Sequence, residues 1–247
     1  MINVAIDAAK QAGALALRYS KTQPKVSYKP DNSPVTKADI EAERLIRKII
    51  SKKFPAHGFI GEELKPVNPN AKFKWVIDPI DGTKDYVRKI PTWATLIGLL
   101  EEGKPIIGVA FYPSTNEMFW SQKNNGTFLN GKKTKVSKVS KVDFSVIMHS
   151  SINRLKKIGK LTQTTNLCEI SQGKRNHGAY NWNLLLKGSA DVVIEIGLIH
   201  DFAAPAILVE EAGGKFTDIS GNFSLTSGNA LATNGLLHNQ VLKILNQ

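Results

Sequence analysis

Apolar side chains recur at Val4, Ile6, Ala9, Ala12, Leu15 and Leu17, close to the helical period. They predict a helix with one buried face over about Asn3 to Tyr19. A polar, proline-marked passage, Lys21 to Pro34, reads as loop or short strand. Ile40, Leu45, Ile46, Ile49 and Ile50 return to helical spacing over about Lys37 to Phe54. Thr36 or Asp39 can cap the start of that helix, and Pro55 follows its end.

The pattern then shortens. Phe73 to Ile77 reads as a strand ending in a turn rich in Asp, Pro and Gly. Thr95 to Leu100 and Ile106 to Tyr112 are apolar strands joined through Glu101-Glu102-Gly103-Lys104, a hairpin signal. Met118 to Ser121 and Thr127 to Leu129 continue an antiparallel meander, with turns at Pro113 to Asn116 and Asn124 to Gly126. In the second half, Ala179 to Leu186 and Phe202 to Ala212 read as helices, the latter stopped by Gly213-Gly214. Ala190 to Glu195, Lys215 to Asp218 and Leu231 to Thr233 read as strands, and Leu237 to Leu245 as a closing helix. Helices and strands alternate in layers, an α/β (α+β) chain with much antiparallel pairing. No linker stands out; if the chain divides, it does so near Asp143, into 1–142 and 143–247.

The 247 residues suffice for one large domain with a full core. Cys168 is the only cysteine, so no internal disulfide forms, in keeping with a reducing cytoplasm. The N-terminus lacks the marks of a targeting segment. No stretch approaches the ~18 apolar residues of a membrane helix. The net charge of +12 suits attraction of an anionic substrate. The lysines are scattered, and the densest run (Lys132, Lys133, Lys135, Lys138, Lys141) is not interleaved with aromatic rings, which argues against a nucleic-acid surface.

The chemistry concentrates in Trp75-Val-Ile-Asp78-Pro-Ile-Asp81-Gly-Thr83. A hydrophobic strand runs into two carboxylates three residues apart, at the strand end where α/β proteins keep their sites. Upstream stands Gly61-Glu62-Glu63, after the apolar pair Phe59-Ile60; downstream stands Asp201. Two close aspartates repel unless a cation or protons intervene. Carboxylates without a His or Cys cluster suit Mg²⁺ or Mn²⁺ rather than zinc. A lone Asp-Gly is most simply a turn; Pro79, Thr83 and the upstream glutamates together point to a metal centre.

These stretches closely resemble the inositol monophosphatase signature of Mg²⁺-dependent, lithium-sensitive phosphatases. Val35-Thr36-Lys37-Ala38-Asp39 is similar to the family's Val-Thr-x-x-Asp before a helix. Asp201-Phe-Ala-Ala through Glu211-Ala212-Gly213-Gly214 resembles its Trp-Asp, small residues and Glu-Ala-Gly-Gly. The matches run from about Lys29 to Asp218. The resemblance implies a five-layer αβαβα sandwich and a cytoplasmic homodimer. It implies a phosphomonoesterase acting on a small phosphorylated alcohol such as inositol 1-phosphate or histidinol phosphate, by direct attack of activated water without a phosphoenzyme. Two or three Mg²⁺ ions are expected, with Mn²⁺ as a substitute and inhibition by Li⁺.

The same resemblance assigns residues. Glu62 and Asp78, with the Ile80 carbonyl, ligate a first metal; Asp78, Asp81 and Asp201 ligate a second; Glu63 supports the site. Thr83 and Asp39 orient and deprotonate the attacking water. The Gly82 and Thr83 amides hold phosphate oxygens, and Glu195 meets the alcohol part of the substrate. Thr83 to Arg88 and Pro91 to Thr95 look closest to the histidinol-phosphate branch. Arg88, Asn176, His177 and Tyr180 are further pocket candidates. In one departure, His200 stands where the family usually has Trp, and the interval from Glu195 to Asp201 is one residue short. His200 is not counted among the ligands, and Asp201 could instead serve only as a helix cap before Phe202. Competing readings are a 3′-phosphoadenosine 5′-phosphate or fructose 1,6-bisphosphate phosphatase, a non-catalytic binder of a phosphorylated ligand, and a nucleic-acid-binding protein. The haloacid-dehalogenase motif Asp-x-Asp-Gly-Thr does not match, because two residues separate Asp78 from Asp81. No Gly-x-Ser-x-Gly is present.

Overall fold

The opening amphipathic run forms α1 (Ile2–Ser20), whose Ala5, Ala8, Ala9, Ala12 and Ala16 are fully buried. The computed structural model describes residues 1–22, 25–30 and 32–247. The proline-marked passage pairs β1 (Val26–Tyr28) with β2 (Pro34–Thr36), while Gln23, Pro24 and Asp31 lie outside the described residues. α2 (Lys37–Ser51) follows at once and ends three residues before Phe54. Its small buried residue Ala42 allows close packing on α1.

Next come β3 (Gly58–Gly61), β4 (Phe73–Asp81), α3 (Thr83–Val87), β5 (Ala94–Glu101), β6 (Lys104–Tyr112), β7 (Glu117–Gln122), β8 (Thr127–Leu129) and β9 (Lys132–Thr134). These strands form one seven-stranded sheet in sequence order. It is antiparallel throughout except for the parallel pair β3 and β4. The hairpin between β5 and β6 turns through Glu102 and Gly103, both at positive φ, a conformation suited to the strand twist.

The second half holds β10 (Val146–His149), α4 (Ile152–Lys157), α5 (Leu161–Ile170), β11 (Gly173–Arg175), α6 (Tyr180–Leu186), β12 (Val192–Ile196), α7 (Ile199–Glu211), β13 (Lys215–Thr217), β14 (Asn229–Thr233) and α8 (His238–Leu245). Its five strands form a mixed sheet in the order β11-β10-β12-β14-β13.

Strand alternation explains the layering. In β4, Trp75 and Ile77 face α1 and α2, while Val76 faces α6 and α7. In the second sheet, Val193 and Ala232 face the same middle helices; Val192 and Leu231 face α4, α5 and α8. Helices, sheet, helices, sheet, helices: the five-layer αβαβα sandwich follows. α7 is apolar nearly all round, with Phe202 to Val209 buried, because sheets cover both its sides. Among the described residues, no helix is long and apolar enough to cross a membrane.

Candidate metal and phosphate site

Asp78 and Asp81 do not lie in a turn after the strand, as the sequence suggested; β4 continues through both. Opposite Asp78 stands Leu96, and opposite Asp81 stands Ala94, so three steps on β4 meet two on β5. That bulge changes the outcome. In a regular strand, residues three apart face opposite sides. With one extra residue absorbed, both carboxylates emerge on the face toward α7. Ile80 instead packs with Ala16, Ala38 and Tyr86 on the outer side. The Ile80 N–H donates to Asp78 Oδ1 at 3.1 Å and Thr95 Oγ1 donates to Pro79 O at 2.9 Å, which pins the bulge. Gly82, at φ 92°, then turns the chain into α3, a backbone state that side-chain-bearing residues disfavour.

Asp39 and Thr36 both serve the cap of α2. Asp39 Oδ2 accepts from the Thr36 N–H (2.8 Å) and hydroxyl (2.6 Å), while Thr36 Oγ1 accepts from the Ala38 N–H (3.1 Å). Asp39 is wholly buried, and its other oxygen lies 3.3 Å from Thr83 Oγ1. Thr83 Oγ1 is also 3.1 Å from Ile80 O, so its one proton serves either acceptor. Burial raises the Asp39 carboxyl above its ordinary range, against the lowering hydrogen bonds of Thr36.

Glu62 follows β3, which pairs Gly61 with Ile77; the Glu62 N–H donates to Ile77 O at 3.1 Å. The strand pairing thus brings Glu62 beside Asp78. The loop is held by two residues the sequence reading passed over. Glu43, fully buried on α2, accepts the N–H groups of Glu63 (2.8 Å) and Leu64 (3.3 Å). Arg47 pairs with Glu43 and donates to the carbonyls of Lys65 (2.9 Å) and Leu64 (3.0 Å). Their signal was present: Asp39, Glu43 and Arg47 sit four apart, on one helical face. Lys29, unassigned in the sequence beyond marking the edge of the resemblance, places Nζ 2.7 Å from both Glu62 and Glu63. Its charge holds despite burial because both carboxylates hydrogen-bond it. Burial foremost lifts the Glu63 carboxyl to about 7.

Asp201 is not the residue before the helix; it sits in the first turn of α7, and Oδ2 accepts the Leu198 N–H at 2.5 Å. It therefore caps the helix and still faces the site. Oxygens of Asp78, Asp81 and Asp201 lie within 4.8 Å of one another, and so do ligand atoms of Glu62, Asp78 and His200. His200, set aside in the sequence, belongs to the cluster.

The pocket measures about 510 Å³ and is lined by Glu62, Asp78, Ile80, Asp81, Gly82, Thr83, Glu195 and Asp201. Asn176 and His177 line it too; Tyr180 instead bonds Glu117 at 2.9 Å, and Arg88 is an exposed charge away from the lining. Glu195, next to last in β12, accepts from the Ile196 N–H (3.1 Å) and Asn181 (3.4 Å), and lies 3.9 Å from Arg154.

Burial, then Glu62, Asp81 and Asp201, pushes Asp78 well above the carboxylate range. Burial, then Asp201, Glu195 and Glu62, does the same to Asp81. Burial also raises Asp201 and Glu195. These carboxylates cannot all ionise together without added positive charge, and the oxygen-rich donor set fits hard divalent ions. The Lys29 ammonium between two of the acids is a further sign of that demand.

A model of the inositol monophosphatase family matches residues 1–247. The chain is 38% identical over 241 residues to a histidinol-phosphatase of Streptomyces coelicolor, covering 93% of this chain and 90% of that one. It is 33% identical over 258 residues to inositol monophosphatase 3 of Solanum lycopersicum, covering 100% and 96%. The solved extragenic suppressor protein suhB of Bartonella henselae superposes with a TM-score of 0.92 at 28% identity, covering 99% and 98%. The inositol monophosphatase of Anabaena superposes at 0.88 with 31% identity, covering 100% and 95%.

Proposed function

The chain belongs to the inositol monophosphatase family, and on that premise we propose a Mg²⁺-dependent phosphomonoesterase whose substrate is a phosphorylated amino alcohol of the histidinol-phosphate kind. The observation that carries this reading is the convergence of Glu62 after β3, Asp78 and Asp81 on β4 and Asp201 on α7 around one pocket beside Asp39 and Thr83.

In this reading, Glu62, Asp78 and the Ile80 carbonyl hold one divalent ion, and Asp78, Asp81 and Asp201 hold a second. Such ions supply Lewis acidity to phosphoryl oxygens and make water acidic enough to attack at neutral pH. Thr83 Oγ1 orients the attacking water, and the Asp39 carboxylate beyond it receives the proton. The Gly82 and Thr83 amides bind phosphate oxygens, and Glu195 meets the alcohol group. No side chain is needed as nucleophile.

Six carboxylates line the pocket (Glu62, Asp78, Asp81, Asp85, Glu195 and Asp201) against the basic side chains Lys84 and Arg154. Even with two dications, a phosphate dianion leaves such a pocket net negative. A substrate amine near Glu195 offsets that excess, whereas a neutral polyol does not. The relatives named histidinol-phosphatase, at 38% and 33% identity, favour the same choice. Inhibition by Li⁺, a cytoplasmic homodimer and treatment of 1–247 as one domain belong to this reading.

The test is hydrolysis of histidinol phosphate, inositol 1-phosphate, fructose 1,6-bisphosphate and 3′-phosphoadenosine 5′-phosphate, with and without Mg²⁺. Histidinol phosphate should give the highest kcat/KM, and only with metal. A higher value for inositol 1-phosphate would overturn the substrate class. Metal-independent turnover would overturn the mechanism.

A further inference from the structure

His200 is the second residue of α7 and directly precedes Asp201. One ring nitrogen, one Glu62 oxygen and one Asp78 oxygen lie within 4.8 Å of one another. Ligands around a small dication stand roughly 3 Å apart when adjacent and about 4.3 Å when opposed, given metal–ligand distances near 2.1 Å. The three atoms are thus spaced to share one ion after small side-chain shifts.

Of the other four histidines, His177 is exposed and three are hydrogen-bonded through the ring. His57 accepts from Trp75 at 3.0 Å, His149 lies 2.8 Å from Ser150 O, and His238 lies between Thr217 and Thr233. The His200 side chain is only 12% exposed, yet its ring makes no hydrogen bond among the described residues; its Nε2 stands 3.7 Å from Asp201 Oδ2. The ring is therefore half-buried beside two carboxylates, with its nitrogens uncommitted to a hydrogen bond among the described residues. A neutral imidazole offers a ring nitrogen that can ligate a cation.

We propose that His200 is a direct ligand of the divalent ion held by Glu62 and Asp78, making this position a mixed imidazole–carboxylate site that takes Mn²⁺ and similar transition ions in preference to Mg²⁺. The inference rests on the proposed metal-dependent function and deepens it. Nitrogen donors favour first-row transition ions, whereas Mg²⁺ keeps to oxygen.

The test uses Mn²⁺ as the probe. Metal-free protein loaded with Mn²⁺ is examined by electron spin-echo envelope modulation, which detects a coordinated imidazole nitrogen. Wild type should show that coupling, and His200→Gln and His200→Phe should lose it while keeping the wild-type circular dichroism spectrum. In calorimetric titrations, the ratio of Mg²⁺ to Mn²⁺ dissociation constants should fall by at least about tenfold in both variants. Bound Mn²⁺ without nitrogen coupling in wild type overturns the proposal and leaves the metal-dependent function standing. So does coupling that persists in both variants, or an unchanged ratio. Wild type that binds no divalent ion overturns both.

Discussion

The carboxylate of Glu43 accepts the backbone N–H of Glu63 at 2.8 Å, tying the second turn of α2 to the loop that carries Glu62. The contact is so close that a Cβ on Gly61 would overlap the Glu43 carboxylate, so the glycine before Glu62 is required by the helix beneath it. One rigid helix thereby sets both Asp39 and the Glu62 loop.

Loss of this clamp should loosen the proposed metal ligand Glu62 without dissolving the core. Glu43→Gln keeps the volume and one acceptor; Arg47→Ala removes two carbonyl contacts. Each is expected to raise the Mg²⁺ concentration for half-maximal activity by about tenfold, as supporting contacts to ligands typically do. The KM for substrate at saturating Mg²⁺ should change little. Metal-dependence curves paired with thermal melts separate this from unfolding.

Asp78→Asn should cost activity at least about 100-fold, beyond what loss of a supporting contact costs, because in the proposed site one carboxylate would serve both ions. The fold should survive and the metal-free protein should melt higher at pH 7. The sign follows from the raised carboxyl: it favours folding while protonated, and that contribution is lost as pH rises from the unfolded value through the folded one. The gain should vanish below the unfolded value near pH 4. Thermal melts without metal at both pH values check this.

Thr83→Val removes the hydroxyl between Asp39 and the site while leaving every carboxylate in place. kcat should fall about 100-fold or more, the usual scale of lost proton-transfer assistance. Mn²⁺ affinity measured by calorimetry should stay near wild type.

Far from the site, burial holds His238 down to about 4, between two threonine hydroxyls. The neutral ring is the form that fits. Its stabilisation is complete above the unfolded value near 6.5 and is lost as pH falls through 4, by about 3 kcal/mol in total. His238→Gln should therefore flatten the pH dependence of denaturant unfolding across that window, and the ring should titrate near pH 4 by NMR.

The layers and most elements were legible because period and turn chemistry agree along the chain. α3, β9, β10, α4, α5 and β11 were missed; all are short, and polar or basic residues dominate several of them, as in Lys132–Thr134 and Gly173–Arg175. α7 begins at Ile199 rather than Phe202, because Asp201 caps from inside the first turn. The carboxylates were readable from spacing and family likeness. Glu43 and Arg47 share a helical face with Asp39 in the sequence, but what they and Lys29 hold was not readable, since it depends on contacts to residues 17 to 34 positions away.

The extra residue absorbed between Asp78 and Asp81 makes chain length itself a determinant of chemistry. Inserting one residue after Pro79, with the bulge still absorbing one, would leave every acidic side chain in the polypeptide yet swing Asp81 to the outer side, toward α1 and α2. A lesion of that kind disarms the protein by parity alone.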